Sequence, residues 1–258
     1  MTTSNQLYID RKHNIRAIGQ DEKLQKSGLQ LLCDASIHNY SFNFDWLSRP
    51  VIQHPQDIVA FQEIVWKVKP DLIIETGIAH GGSIILSASL LALLDLCETG
   101  ITSLSPNPQK PRRVVAVDID IRKHTRKSLE EHPLHPRLTL LEGSSTDKKI
   151  IAKVKEEANG HEKILVCLDS NHTHEHVLAE LEAYAQLVSV GSYCIVWDTV
   201  IEDMSEELLL NRSWGPGNSP KTAVIEYLKN HSEFETDKNI QNKLLMTVAP
   251  DGYLKRTK

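Results

Sequence analysis

Residues 72–83, LIIETGIAHGGS, decide the fold of this 258-residue chain. An apolar run ends at Glu75, Gly77 and Gly81 follow it, and a segment with helical spacing of apolar residues begins near Ser83. A buried strand, a glycine-rich turn and a helix in this order are typical of α/β sheets that bind ligands at the carboxyl ends of their strands. The spacing is neither GxGxxG nor GxxxxGK(S/T), which argues against a nicotinamide site and a phosphate-binding loop. On this motif alone, a turn that needs glycine only for packing is an equally good interpretation.

Apolar runs rich in β-branched residues alternate with helical segments along the rest of the chain. This alternation predicts one doubly wound, mostly parallel α/β domain over residues 51–258. Strands are predicted at 72–75, 114–118, 138–141, 164–169, 193–197 and 244–248, and helices at 58–68, 83–96, 123–131, 148–157, 174–188 and 220–231. Residues 100–113, rich in proline and polar residues, are expected to form a surface loop.

Residues 1–50 are predicted to form an N-terminal extension. They are weakly periodic and end in an aromatic cluster of Tyr40, Phe42, Phe44 and Trp46. We expect this extension to lie over the sheet or against a neighbouring subunit.

Composition excludes several classes of function. Lys and Arg number 29 against 34 Asp and Glu, a net charge of −5, which leaves no basic field for nucleic acid or anionic lipid. The most apolar stretch, Ile84 to Leu96, is shorter than the roughly 20 residues of a membrane span. The four cysteines form no CxxC pair, and the N-terminus lacks the pattern of a secretory signal. A cytoplasmic location is therefore expected.

Polar residues follow the second and third predicted strands. VVAVDID ends in Asp118 about 43 positions after Glu75, where an acid can accept both hydroxyls of a ribose. LLEGSSTD places Ser144, Ser145 and Asp147 after the next strand, where they could line an adenine pocket. Asp118 alone could also be a capping or loop acid, but the combination favours a cofactor that contains a nucleoside.

The fourth and fifth predicted strands end in Asp169 and Asp198, which should be neighbours at the same edge of the sheet. Two converging carboxylates suit Mg²⁺, whereas zinc prefers nitrogen and sulfur ligands. His172 falls in the turn next to Asp169. His174 and His176 are interpreted as part of a polar helix start, capping the helix or facing solvent.

Six ordered blocks, spread over roughly residues 40–256, resemble the cephalosporin hydroxylase/rhamnosyl O-methyltransferase family of class I S-adenosylmethionine-dependent methyltransferases. The blocks are NFDWLSRPVIQHPQDIVAFQEIVWKVKPDLIIETGIAHGGS, VDIDIR, LEGSS, LDSNHTHEHVLAELEAYAQLV, WGPGNSPKTAVIEYLKNHSEFETDK and DGYLKR. The resemblance implies a Rossmann-like sheet of seven strands. The sequence is also similar to that of magnesium-dependent catechol-type methyltransferases. The similar residues are Gly77, Gly81 and Ser83 in the turn and the pair Asp169 and His172.

The resemblance also implies roles for individual residues. Residues along the cofactor are Glu75, Gly77, Gly81 and Ser83 at the methionyl part, Asp118 at the ribose, Ser144 and Ser145 at the adenine, and Asp169. Asp169 and Asp198 would hold Mg²⁺, and His172 would be the catalytic base. The family commonly has Glu where this chain has Trp197, so one carboxylate is missing. Thr199, Glu202 or Asp203 would have to fill the gap, or else the metal is weak or absent.

The sequence therefore predicts an S-adenosylmethionine-dependent O-methyltransferase that acts on a hydroxyl of a small polar metabolite or sugar. Its partners are expected to be this small-molecule acceptor and further copies of the chain in a homo-oligomer, with no nucleic acid and no membrane. A family member that binds the cofactor without catalysis is one alternative. A nicotinamide-dependent oxidoreductase is another, weakened by the missing GxGxxG.

Overall fold

The computed structural model describes residues 2–99 and 112–258, so most of the predicted surface loop at 100–113 lies outside the described residues. The helices are α1 (Thr2–Gln20), α2 (Glu22–Ser36), α3 (Pro55–Val68), α4 (Gly82–Thr99), α5 (Lys123–Glu130), α6 (Lys148–Ala158), α7 (His174–Tyr184), α8 (Pro220–Asn230) and α9 (Lys238–Leu244). The strands are β1 (Asp45–Trp46), β2 (Arg49–Pro50), β3 (Leu72–Thr76), β4 (Arg113–Asp118), β5 (Leu138–Glu142), β6 (Ile164–Leu168), β7 (Tyr193–Val196), β8 (Phe234–Thr236) and β9 (Tyr253–Arg256).

Seven strands form one sheet in the order β5-β4-β3-β6-β7-β9-β8. The pairs from β5 to β7 are parallel, and β9 runs antiparallel to both β7 and β8. Thr76 pairs with Val117 on one side and Leu168 on the other, so three strands end at one edge. The strand order reverses between β3 and β6, which is where doubly wound sheets open a ligand crevice. The predicted α/β fold is confirmed.

The core has two apolar layers, one on each face of the sheet. Helices α3, α4 and α5 cover one face, and α6, α7 and α8 cover the other. Strand β3 is buried on both faces, with Ile73 in the first layer and Leu72 and Ile74 in the second. This explains why its sequence is apolar throughout instead of alternating. No helix within the described ranges is long and apolar enough to cross a membrane.

The predicted strand at 244–248 is wrong. Leu244 ends α9, Leu245 has φ 62°, and the residues after it form no strand. The last two strands are Phe234–Thr236 and Tyr253–Arg256 instead. The apolar run lies in a loop whose backbone is bound to a helix, because the amide of Val248 donates to the buried carboxylate of Asp57 at 3.0 Å.

The N-terminal segment forms two helices and a short β-ribbon. Helix α1 packs on α9, where a Cβ on Gly19 would meet the side chain of Asn242. The ribbon of β1 and β2 lies against the start of α4: the indole of Trp46 donates to Ser89 Oγ at 3.0 Å. A Cβ on Gly82 would lie 2.1 Å from the carbonyl oxygen of Pro50. The predicted domain boundary at residue 50 stays a prediction.

Candidate active site

The turn after β3 needs glycine for steric reasons. Gly77 has φ +90°, and a Cβ there would lie 2.0 Å from the carbonyl oxygen of Asp169. Gly81 has φ +86°, and a Cβ there would lie 2.7 Å from a methyl carbon of Leu129. Both conformations are strained for other residues. The turn therefore passes directly against the loop that follows β6 and brings the two strand ends together.

Asp118 orders this turn from the end of β4. Its Oδ2 accepts hydrogen bonds from the amides of Ile78 (2.7 Å) and Ala79 (3.1 Å), and its Oδ1 accepts one from Asp120 (3.1 Å). The carboxylate also lines a cavity at the edge of the sheet. Asp118 therefore lies at a cavity beside the glycine turn, and its predicted contact with a ribose stays a prediction.

This smaller cavity has a volume of about 120 Å³. Its lining residues come from the ends of β3, β4, β5 and β6 and from α7: Gly77, Val117, Asp118, Ile119, Ser144, Ser145, Ser170, Asn171 and His176. Ser144 and Ser145 both line this cavity, and their predicted contact with an adenine stays a prediction. Asp147 does not line this cavity, because its side chain caps α6 by accepting from the amide of Lys149 at 2.8 Å.

His176 belongs to this cavity, although sequence reasoning treated it as a capping or exposed histidine. Its Nε2 lies 3.0 Å from Ser145 Oγ and 3.1 Å from Ser170 Oγ. Ser170 in turn donates to the buried Glu180 at 2.6 Å. The signal was available in the sequence, because residues in the first turn of a helix after a strand lie near that strand's carboxyl end. His174 instead joins α7 to α8 through Thr222 Oγ1 at 2.8 Å.

A larger cavity of about 460 Å³ lies on the other side of the glycine turn. Gly77 and Ser170 line both cavities, so the two meet at the crevice. Asp169, His172 and Asp198 stand together in the larger one, with one ligand atom of each within 4.8 Å of the others. His172 Nε2 lies 3.4 Å from Asp198 Oδ2, and the imidazole packs edge-on against Trp214. The structure thus brings the predicted base and the two predicted metal ligands into one cluster.

The electrostatics of this cluster favour a bound cation or proton. Burial raises the pKa of Asp169 well above its ordinary value, and the carboxylates of Asp198, Glu75 and Glu180 act in the same direction. A divalent ion beside Asp169 and Asp198 would relieve this repulsion. Carboxylate oxygens are the ligands that Mg²⁺ takes, with water and substrate oxygens in its remaining positions.

The missing carboxylate is not replaced from the neighbouring residues. Thr199 donates to the carbonyl oxygen of Pro250 at 2.6 Å. Glu202 accepts from Ser219 Oγ at 2.6 Å, and Asp203 forms an ion pair with Lys221. Asp169, His172 and Asp198 are the one cluster of three or more potential metal ligands among the described residues.

Trp197 points away from the cluster and into the core. It is 7% exposed, and its indole packs edge-on against Phe61 and Tyr253, at 6.5 and 6.0 Å between ring centroids. It borders a third, internal cavity of about 20 Å³ together with Glu75 and Asp57.

Glu75 lies in that internal cavity, behind the glycine turn. Its Oε2 accepts from Ser87 Oγ at 3.2 Å, and burial raises its pKa to about 7. Ser83 lines both the internal and the larger cavity. The predicted contact of Glu75 with the methionyl group stays a prediction, because this carboxyl lines neither of the two cavities that meet at Gly77.

The outer wall of the larger cavity comes from two distant segments. Residues Asn39, Ser41 and Phe42 reach it from the N-terminal segment, and Leu209, Arg212 and Trp214 from the loop before α8. The wall therefore combines aromatic, aliphatic and hydrogen-bonding groups, a lining typical of sites for small polar molecules with an apolar face.

Comparison with known proteins agrees with this geometry. The profile of a family described as "Rhamnosyl O-methyltransferase/CmcI" matches residues 38–257. A rhamnosyl O-methyltransferase of Mycobacterium tuberculosis (strain H37Rv) is 31% identical over 205 residues, which cover 78% of this chain and 73% of the relative. A rhamnosyl O-methyltransferase of Mycobacterium leprae is 26% identical over 213 residues, which cover 82% of each chain.

Two solved structures show the same fold. A CmcI structure with magnesium and S-adenosylmethionine has a TM-score of 0.54 at 17% identity, over 84% of this chain and 78% of the other. CalS11, described as a TDP-rhamnose 3'-O-methyltransferase of calicheamicin biosynthesis, has a TM-score of 0.50 at 18% identity, over 84% of this chain and 89% of the other.

Proposed function

The chain belongs to the rhamnosyl O-methyltransferase/CmcI family, and we propose that it methylates a ring hydroxyl of a 6-deoxyhexose. It is an S-adenosylmethionine-dependent O-methyltransferase. The observation that carries the proposal is the meeting of two cavities at Gly77 and Ser170. Asp118, Ser144 and Ser145 border one cavity, and His172 borders the other. With the adenosine in the smaller cavity and the methionyl part reaching past Gly77 toward Ser83 and Asp169, the methyl group would face an acceptor hydroxyl in the larger cavity.

The sugar assignment is supported by the relatives and by the outer wall. The matching curated relatives are named for a rhamnosyl acceptor. Rhamnose carries a methyl group and hydroxyls, and the wall offers Trp214 and Leu209 to an apolar face and Asn39 and Ser41 to hydroxyls. Aromatic side chains with a few polar groups fix the orientation of such ligands.

The transfer is a direct displacement in which the acceptor oxygen forms a bond to the methyl carbon while the carbon–sulfur bond breaks. S-adenosylhomocysteine is the other product, and the hydroxyl proton passes to the imidazole of His172. Asp198, 3.4 Å away, stabilises the imidazolium that forms. The enzyme's main contribution is the alignment of oxygen, carbon and sulfur, because a displacement of this kind depends on geometry.

The residues also fit a Mg²⁺ ion held by Asp169 and Asp198. When bound, such an ion lowers the pKa of a coordinated hydroxyl and orients it. Trp197 leaves this site with two carboxylates, so we assign the larger share of activation to His172.

We also propose that the chain forms a homo-oligomer in the cytoplasm. The outer faces of α3 and α4 expose Val59 (55%), Trp66 (50%) and Leu93 (51%), which supports a partner on that side. The four cysteines are free thiols, as in a reducing compartment. Light scattering at micromolar concentration tests the assembly, and a single monomeric mass would contradict it.

The function is tested with methyl-labelled S-adenosylmethionine and p-nitrophenyl α-L-rhamnoside. We expect one labelled methyl ether by mass spectrometry and carbon NMR, with activity lost in His172→Ala. Calorimetry with S-adenosylhomocysteine measures cofactor binding on its own. Magnesium titrations with and without the rhamnoside measure metal binding and its dependence on the acceptor. Cofactor binding without transfer to the rhamnoside would overturn the 6-deoxyhexose proposal, and tight NAD binding without S-adenosylhomocysteine binding would overturn the methyltransferase assignment itself.

A further inference from the structure

His54 stands at the junction between the β-ribbon and α3, with its backbone fixed in place. Its carbonyl oxygen accepts hydrogen bonds from the amides of Asp57 (3.0 Å) and Ile58 (3.2 Å), which begin the helix. Its side chain forms no capping hydrogen bond. The backbone therefore presents the imidazole at a defined place without using it to build the helix.

The imidazole is buried, yet its Nδ1 has no hydrogen-bond partner among the described residues. The preceding Gln53 shares this property: it is 6% exposed, and its Oε1 is also buried without a partner. Both side chains line the larger cavity. Because nearly all buried polar atoms in proteins are hydrogen-bonded, two unpaired atoms on consecutive residues of one cavity indicate a ligand that supplies the partners.

The chemistry of His54 suits an uncharged ligand. Burial lowers its pKa, with the Asp198 carboxylate acting in the opposite direction, so the imidazole is neutral at pH 7. A neutral imidazole offers one donor and one acceptor, which matches an alcohol hydroxyl. Tyr40, with its ring centroid 5.3 Å from that of His54, supports the other side of the ring.

Both His54 and His172 line the larger cavity, and His172 Nε2 lies 3.4 Å from Asp198 Oδ2. His172 faces the hydroxyl that is methylated. We propose that His54 is a specificity-determining residue that hydrogen-bonds a second hydroxyl of the acceptor, an assignment that rests on the proposed function. It thereby selects which hydroxyl of the acceptor reaches the cofactor.

The experiment compares the parent enzyme with His54→Phe, which keeps an aromatic ring against Tyr40 but removes both nitrogens. His38→Phe is the matched control, because His38 is exposed and does not line the cavity. Calorimetry of the S-adenosylhomocysteine complexes measures the binding of p-nitrophenyl α-L-rhamnoside and of its three monodeoxy analogues. NMR of the methylated product identifies the hydroxyl that reacts.

We expect His54→Phe to weaken rhamnoside binding about 10- to 100-fold, as loss of a buried hydrogen bond does. S-adenosylhomocysteine binding should not change, and the product should become a mixture of methyl ethers. The affinity of the parent should fall by a similar factor for one monodeoxy analogue that keeps the methylated hydroxyl and lacks another. That analogue should bind His54→Phe and parent equally.

Parental affinity and a single product in His54→Phe would overturn the assignment of His54 alone. If His54→Phe does not fold, the analogues still decide with the parent enzyme, because equal binding of all three contradicts a hydroxyl-specific contact. A parent enzyme that binds S-adenosylhomocysteine but no rhamnoside would overturn the sugar proposal, and the assignment of His54 with it.

Discussion

Replacing Trp197 by Glu introduces the acid that the sequence resemblance implies at this position, and we expect it to destabilise the protein without building a metal site. The indole is 7% exposed and packs between Phe61 and Tyr253. The new carboxylate would enter the internal cavity that already holds Glu75 and Asp57. Burial raises the pKa of those two groups to about 7 and about 6, so a third acid there meets the same unfavourable environment.

The magnitude follows from this packing. Removing a buried aromatic side chain costs about 3–5 kcal/mol, and an unpaired acid adds to that cost. For a chain of this size, each kcal/mol lowers Tm by about 2–4 °C, so Trp197→Glu should lower Tm by roughly 10–15 °C or more. Trp197→Phe keeps an aromatic ring in the same place and should cost about 1–2 kcal/mol.

Thermal unfolding of both variants, followed by a magnesium titration, tests the reasoning. We expect magnesium affinity in Trp197→Glu to be no higher than in the parent. A variant that unfolds within about 2 °C of the parent and binds magnesium more tightly would show that this side chain faces Asp198 instead of the core.

Three further predictions concern the cofactor site, the base and the buried acid. Asp118→Ala should weaken S-adenosylhomocysteine binding by about one to two decades in calorimetry, since it removes a charged acceptor and frees the amides of Ile78 and Ala79; unchanged affinity would contradict a role at the cofactor. His172→Ala should lower kcat by about 10²- to 10⁴-fold and keep S-adenosylhomocysteine affinity, as for a general base; a loss below about tenfold would shift activation to the metal. The pKa of Glu75 is raised to about 7 by burial, so its protonated form favours the folded state, and its contribution is lost as pH rises from about 4.5 to about 7. The free energy of unfolding of Glu75→Gln, measured by urea denaturation, should therefore equal that of the parent below pH 4.5. At pH 8 it should exceed that of the parent by up to roughly 3 kcal/mol. Parallel pH profiles of the two proteins would contradict this.

The central strands were readable from the sequence because both of their faces are buried. Continuous apolar runs such as the one ending at Glu75 are typical of parallel strands that are buried on both faces. Once the order of strands is known, topology alone places Asp118, Asp169 and Asp198 at one edge. The candidate site was thus predictable to the extent that it consists of strand ends.

The antiparallel strands at the end of the sheet were not readable in the same way. Strand β8 is three residues long and β9 carries two charged residues, so the nearby run at 244–248 is more apolar than either. That run is apolar for another reason: Leu244, Met246 and Val248 pack on the core, while the amide of Val248 fixes the loop on the buried Asp57. Local pattern cannot distinguish a strand from an apolar loop whose amides bind a side chain.

The sequence also did not predict the direction in which single side chains point. Trp197 and Asp198 are consecutive, and the backbone sends one into the core and the other into the cavity. His54 was not singled out from the sequence. It reaches the cavity because α3 begins directly after it, a relation that only the folded chain shows.

Trp197 also changes what the metal site needs from the acceptor. Because the side chain of Trp197 lies in the core, Asp169 and Asp198 provide the carboxylate oxygens in the described cluster. A bound Mg²⁺ would therefore keep most of its coordination positions for water and substrate. An acceptor hydroxyl that coordinates the ion adds a ligand, and the ion in turn stabilises bound acceptor. Because such coupling is reciprocal, the magnesium titration with rhamnoside should give a tighter Kd than the one without. A three-carboxylate site would bind the ion without this help, so equal affinity in both titrations would mean that the acceptor hydroxyl is held by His172 alone.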